Sequence, residues 1–205
     1  MLIAASLPQV RKYMKRGEHA TRDSLRSYLR AATGDDHAGL DAHLSALDWG
    51  SVHDYRHFLE ASAAALLQIE AALSDANVIR IFPDWERRTR RPAILRDLEC
   101  IGGFVPQLGE QPRLSFEGVL GTMYVLEGSR LGSKVLLARI AEAANPTIFG
   151  ATAYLSHGSG QKLWQTFVDK LEQHATLIER AAAAGAARRT FRLFALMFAR
   201  VERPE

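Results

Sequence analysis

From Tyr124 to Ser133 the chain reads Tyr-Val-Leu-Glu-Gly-Ser-Arg-Leu-Gly-Ser. The stretch lies inside a long helical pattern, yet Gly128 and Gly132 stand one turn apart, with Gly118 and Gly121 a little upstream. Each glycine costs a helix about 0.8–1 kcal/mol relative to alanine, so the four cost about 3–4 kcal/mol. Two physical reasons can demand the missing side chains: close packing of another helix, or close approach of a flat ligand to bare backbone.

Outward from this stretch the pattern stays helical. Ser115 is placed to cap the glycine-bearing helix, which runs to about Ala144, where Asn145-Pro146 stops it. A loop rich in Gly, Ser and Thr follows to Gly160. A helix from about Gln161 to Ala184 buries Leu163, Trp164, Phe167, Leu171 and Leu177 or Ile178, and a last one from about Ala186 to Val201 offers Phe191, Phe194, Ala195 and Phe198. Upstream, a pattern through Leu25, Leu29, Ala32, Leu40, Leu44 and Leu47 is interrupted around Gly34-Asp35-Asp36. The stretch from about His53 to Leu73 has an alanine-rich middle and reads as scaffold. Asp84 is a potential cap, four arginines follow at 87, 88, 90 and 91, and Pro92 opens a helix to Ile101. No segment alternates as a strand would. The expectation is an all-α, single-domain, multi-helix bundle of six to eight helices, with residues 1–20 as an N-terminal arm and residues 21–205 as the helical domain.

Composition removes several classes. Of 205 residues, 47% are hydrophobic and 24% charged, a globular balance rather than a disordered or fibrous one. A net charge of +3 creates no field that demands nucleic acid. Cys100 is the only cysteine, which excludes a disulfide framework and fits a reducing cytoplasm. No apolar run approaches the roughly 18 residues of a membrane span.

Seven histidines, at 19, 37, 43, 53, 57, 157 and 174, lack the spacing and companions of a zinc or di-iron site. No nucleophile elbow follows a strand either, so Gly158-Ser159-Gly160 reads as loop. What remains is a lone histidine serving a ligand that carries most of its own chemistry. A helical wheel does not separate His37 from His43. Spacing does: residues seven apart share a face roughly 10.5 Å apart along the axis, comparable to the span from a haem iron to its propionates. Seven before His37 is Arg30, a carboxylate anchor; seven before His43 is Asp36, which would repel one.

Leu29-Arg-Ala-Ala-Thr33 with His37 and Leu40, the Trp85 segment with its arginines, and Tyr124-Val-Leu-Glu-Gly-Ser-x-Leu-Gly132 together resemble the bacterial haem oxygenases, above all the group associated with bacteriophytochromes. The likeness extends from about residue 22 to 200. It implies an enzyme that opens the haem macrocycle with O2 and electrons from an external reductase or ferredoxin, giving biliverdin, carbon monoxide and ferrous iron, with the bilin passing to a bacteriophytochrome as chromophore. It implies His37 as axial ligand of the haem iron, Gly128, Ser129 and Gly132 as the distal wall, Tyr124 and Ser133 as pocket-lining residues, and Arg30 as the propionate candidate. A glycine helix can kink and free backbone groups for hydrogen bonds over the ring. A non-catalytic haem carrier or sensor of the same fold is the alternative reading.

Arg130 and Ser133 depart from the motif, since smaller or uncharged residues, and often a second glycine, are common there in the family. On this reading Arg130 points to solvent or reaches the haem edge. The arginines at 87–91 read as a solvated face, as internal ion pairs, or as a docking site for an acidic redox partner.

Overall fold

The computed structural model of the chain describes residues 24–105, 109 and 113–200. The arm expected at residues 1–20 lies outside the described residues. Within them the fold is all-α: α1 (Leu25–Ala32), α2 (Gly34–Ser45), α3 (Val52–Asp75), a 3-10 turn (Val78–Arg80), α4 (Trp85–Arg88), α5 (Arg91–Ile101), α6 (Phe116–Ala143), α7 (Pro146–Phe149), α8 (Ala153–Ser156), α9 (Leu163–Gln173) and α10 (Arg180–Arg200). None of these helices is long and apolar enough to cross a membrane.

Local chemistry sets the helix ends. Ser24 caps α1 by accepting from the Ser27 amide, and Glu172 of α9 accepts from the amides of Leu25 and Arg26 at 3.1 and 2.9 Å, so the first-turn donors are satisfied. Ser115 caps α6 through the Gly118 amide, as its position predicts, and Ala144 closes that helix in the left-handed region. Thr33 separates α1 from α2 with φ −111° and ψ 7°, its hydroxyl donating back to the Leu29 carbonyl at 2.8 Å. Two helices therefore meet at Thr33, between Arg30 and His37.

α10 packs on α1, α2, α3 and α6, while α6 also carries α8 and α9. The α6–α10 contact is what makes Gly121 necessary: a Cβ there would lie 2.0 Å from the Ala183 carbonyl oxygen and 3.1 Å from the Ala187 nitrogen. This contact also moves a helix boundary. The sequence pattern puts the break between the last two helices near Gly185, but the chain leaves α9 at Gln173 and re-enters helix at Arg180. Ala183, Ala184, Ala186 and Ala187 are buried, and that burial outweighs the roughly 1 kcal/mol disadvantage of Gly185 inside α10. Of the pair Leu177 and Ile178, Ile178 packs on the core and Leu177 is 75% exposed. The loop expected from 145 to 160 contains two four-residue helices, α7 and α8, the second of which enters the functional site.

Candidate functional site

α2 has no buried residue, although Leu40 and Leu44 are apolar and placed on one face. The reason is a cavity of about 160 Å³ on that face, roughly ten times the space that one water needs. His37, Leu40, Asp41 and Leu44, spaced by three and four residues, line it from α2; Tyr124, Val125, Gly128, Ser129, Gly132, Ser133 and Arg139 line it from α6. Phe191, Phe194 and Phe198 of α10 and Phe58 and Ser62 of α3 contribute further wall, with Tyr154, Leu155 and Trp164 from α8 and α9.

α6 remains helical through both motif glycines, and these differ sharply from Gly121. A Cβ on Gly132 would meet nothing within 4 Å, and one on Gly128 only the Trp164 ring edge at 3.7 Å, an ordinary contact. No packing partner demands their bare backbone. They open onto empty space in the cavity, which is what the approach of a ligand needs.

His37 presents its imidazole to the same space. Its Nδ1 lies 2.9 Å from Asp41 Oδ2, and its ring meets the edge of Phe191 with centroids 5.4 Å apart. With Nδ1 engaged, Nε2 is the nitrogen left for a metal, and the carboxylate fixes the ring's orientation. His43 is exposed, stacks on Phe198 and does not line the cavity. Among the described residues no three of His, Cys, Asp and Glu cluster as metal ligands. Asp36 is drawn away from the site by the Nε atoms of Arg188 and Arg192, at 2.9 and 2.7 Å.

Six of the seven candidate site residues thus border one cavity: His37, Tyr124, Gly128, Ser129, Gly132 and Ser133. Arg30 is exposed and outside the lining. Its charge is felt at Tyr124, whose hydroxyl burial holds above the ordinary tyrosine pKa, while a hydrogen bond with Thr33 and the positive charges of Arg26 and Arg30 oppose the rise.

Arg130 takes neither of the two positions considered for it. It lies outside the cavity lining and packs against Glu127, Arg88 and His157. The arginine cluster divides in the same way. Arg88 and Arg90 are 3% and 2% exposed, Arg88 pairing with Asp84 and Glu127, whereas Arg87 and Arg91 stay at the surface. Arg90 Nη2 donates to Ser129 Oγ at 3.0 Å and to the Leu126 carbonyl at 3.2 Å, behind the glycine wall, and its guanidinium lies 4.9 Å over Tyr154.

Residues 23–200 match the Heme oxygenase family. The chain belongs to the haem oxygenase family. Among its relatives, Heme oxygenase PigA of Pseudomonas aeruginosa is 30% identical over 177 residues, covering 82% of this chain and 88% of that protein. A heme oxygenase of Xanthomonas campestris is 31% identical over 152 residues, covering 73% and 92%. The fold is shared with the heme oxygenase of Neisseria meningitidis solved with NO and CO bound, at TM-score 0.71 and 22% identity over 89% of this chain and 98% of that one. The heme oxygenase of Leptospira interrogans gives TM-score 0.66 and 18% identity over 85% and 98%.

The residues of this haem oxygenase fit a haem. The cavity has aromatic and aliphatic walls, one imidazole with its second nitrogen already taken, a glycine helix facing open space, and Arg139 as a basic residue in the lining. The sequence reading missed Arg139, although the seven-residue spacing it applied to His37 selects Arg139 when counted onward from Gly132. It also took α3 as scaffold, yet Phe58 and Ser62 face the cavity. Tyr154 and Leu155 carried a weaker signal, an apolar pair inside a loop of Gly, Ser and Thr.

Proposed function

We propose that this haem oxygenase opens the haem macrocycle to biliverdin, carbon monoxide and ferrous iron, using O2 and electrons from a cytoplasmic reductase or ferredoxin. The observation that carries the reading is the empty space over Gly128 and Gly132 in the cavity that His37 enters. When bound, haem supplies the iron at which dioxygen is activated and is itself the molecule consumed.

The protein's part is positioning. His37 would hold the haem iron, its ring oriented by Asp41. Gly128 and Gly132 would let the α6 backbone come close to the bound ring, with Tyr124, Ser129 and Ser133 bordering the same space. Ser129 Oγ donates to the Leu126 carbonyl at 2.8 Å and accepts from Arg90, so that hydroxyl is held in one orientation. The anionic edge of the haem needs a cation, for which Arg139 lines the cavity and Arg30 stands just outside it. Ser133 Oγ donates to the Ser129 carbonyl at 3.1 Å, so it keeps its polar atom turned onto the helix. Delivery of the bilin to a bacteriophytochrome is the destination supported by the motif likeness.

The test is direct. Haemin is added to the purified protein, the absorption spectrum is recorded, and an electron donor and oxygen are then supplied. A one-to-one complex that converts to a bilin is the expected result. Failure to form the complex overturns the haem reading, and a stable complex that never yields a bilin identifies a carrier instead.

A further inference from the structure

Arg130 uses every donor of its guanidinium inside the protein. Nε donates to Glu127 Oε2 at 2.9 Å, Nη2 to Glu127 Oε1 at 3.1 Å and to the Arg88 carbonyl at 2.6 Å, and Nη1 to the His157 carbonyl at 3.2 Å and to His157 Nδ1 at 3.0 Å. Five N–H groups meet five acceptors on three separate segments, an arrangement that the planar fork of arginine allows and an ammonium does not. The side chain is 10% exposed. Gly158 completes the fit. Its φ of +76° disfavours any other residue, and a Cβ there would lie 2.7 Å from a Leu163 methyl and 3.3 Å from Arg130 Nη1.

His157 directly follows α8, whose Tyr154 and Leu155 line the haem cavity. A four-residue helix does not hold itself in place. α8 is tied at its start, where the carboxylate of Asp97 accepts from the amides of Ala153 and Tyr154 at 3.0 and 2.7 Å. Its end is tied by Arg130 through His157.

We propose that Arg130 is a positioning residue: by joining His157 to Glu127 and to the Arg88 carbonyl, it fixes the Tyr154–Leu155 wall against the glycine helix and so determines which edge of a bound haem that wall admits. The proposal rests on the haem oxygenase reading given above. Removing Arg130 leaves Glu127 paired with Arg88 Nη1 at 3.1 Å, so the buried carboxylate keeps a cation and the bundle keeps its core.

The test compares wild type, Arg130→Leu and the milder His157→Leu, which leaves the Arg130–Glu127 pair intact. Amide hydrogen exchange of the haem-free proteins reads the clamp itself. Residues 153–157 should exchange about tenfold or more faster in both variants while α3 is unchanged. Unaltered exchange overturns the clamp whatever haem does. The second readout is the bilin made from haemin, an electron donor and oxygen. Both variants should bind haem with the wild-type axial-ligand spectrum, yet change the proportion of bilin isomers and lower the rate about tenfold or more. Faster exchange with an unchanged isomer ratio and rate assigns Arg130 to stability alone and overturns the positioning role. Wild type that makes no bilin overturns the functional reading and the positioning role with it, while the exchange result still decides the clamp.

Discussion

His37 Nδ1 and Asp41 Oδ2 lie 2.9 Å apart, one turn from each other on the helix that borders the cavity. The pair is 39% and 32% exposed, so its Coulomb energy is screened and its main effect is to hold the ring in one orientation. Asp41→Asn should therefore weaken haemin binding only about tenfold, at the low end for an outer-shell partner, and should retain a histidine-ligated spectrum. Haem titration monitored by absorption measures both quantities, and unchanged affinity would remove Asp41 from the site.

His37→Ala should abolish the axial-ligand signature, while His43→Ala leaves it intact. His43 is exposed and stacks on Phe198 outside the lining, so its loss removes surface contact only. Resonance Raman or magnetic circular dichroism of the haemin complexes distinguishes the two variants. The reverse pattern would refute His37 as ligand.

The glycines of α6 separate into two physical kinds, and alanine substitution should expose the difference. Gly121→Ala drives a methyl into the Ala183 carbonyl at 2.0 Å and should destabilise the haem-free protein by about 3 kcal/mol. Gly132→Ala meets nothing and should raise haem-free stability by about 0.5–1 kcal/mol through helix propensity. The same substitution should lower haemin affinity, because the methyl enters the ligand's space. Urea denaturation and haem titration of both variants suffice, and a Gly132→Ala protein that binds haemin like wild type would show that the bare backbone serves no ligand.

The outline of the fold was legible because helical periodicity, the Ser115 cap and Asn145-Pro146 are local signals. The cost of glycine inside a helix marked Gly128 and Gly132, the spacing to Arg30 favoured His37 over His43, and the family resemblance then joined them into one site. What stayed hidden depends on tertiary contact. Nothing in the order Arg87-Arg88-Thr89-Arg90-Arg91 says that the two middle arginines are buried while the first and last are not; Glu127 and the Leu126 carbonyl decide that from another helix. Likewise, Gly121 and Gly132 are the same residue in the same helix, and only the neighbouring Ala183 backbone makes one of them a packing requirement. The break between α9 and α10 was misplaced for the same reason.

Arg139 and Arg30 can be ranked by charge reversal. Arg139 lines the cavity and has no ion pair among the described residues, whereas Arg30 is exposed and reaches the site mainly as a positive charge near Tyr124. Arg139→Glu should weaken haemin binding about tenfold or more, and Arg30→Glu less than that, because a direct contact to a carboxylate is worth more than a screened neighbour. Bilin isomer analysis should move in the same order. A larger effect at Arg30 would place the anionic edge at the α1–α2 junction.

His157 supplies a pH dependence whose sign is fixed. Burial lowers its pKa to about 4, the guanidiniums of Arg130 and Arg90 push it the same way, and Glu127 opposes them. Its Nδ1 must accept from Arg130 Nη1, which a protonated ring cannot do. Between the ordinary value of 6.5 and about 4, the unfolded chain binds a proton that the folded chain refuses, so stability falls as pH falls through this window. His157→Leu loses the hydrogen bond at every pH but also loses this titration. The drop in urea midpoint from pH 7 to pH 5 should therefore be larger in wild type than in the variant. Asp36 is held below the ordinary carboxylate range by Arg192 and Arg188 against the opposing effect of its burial, so its own contribution is lost only as pH falls through that lowered value, and it is common to both proteins. The difference between the two proteins isolates the histidine, and equal drops would mean that the ring is not held neutral in the folded state.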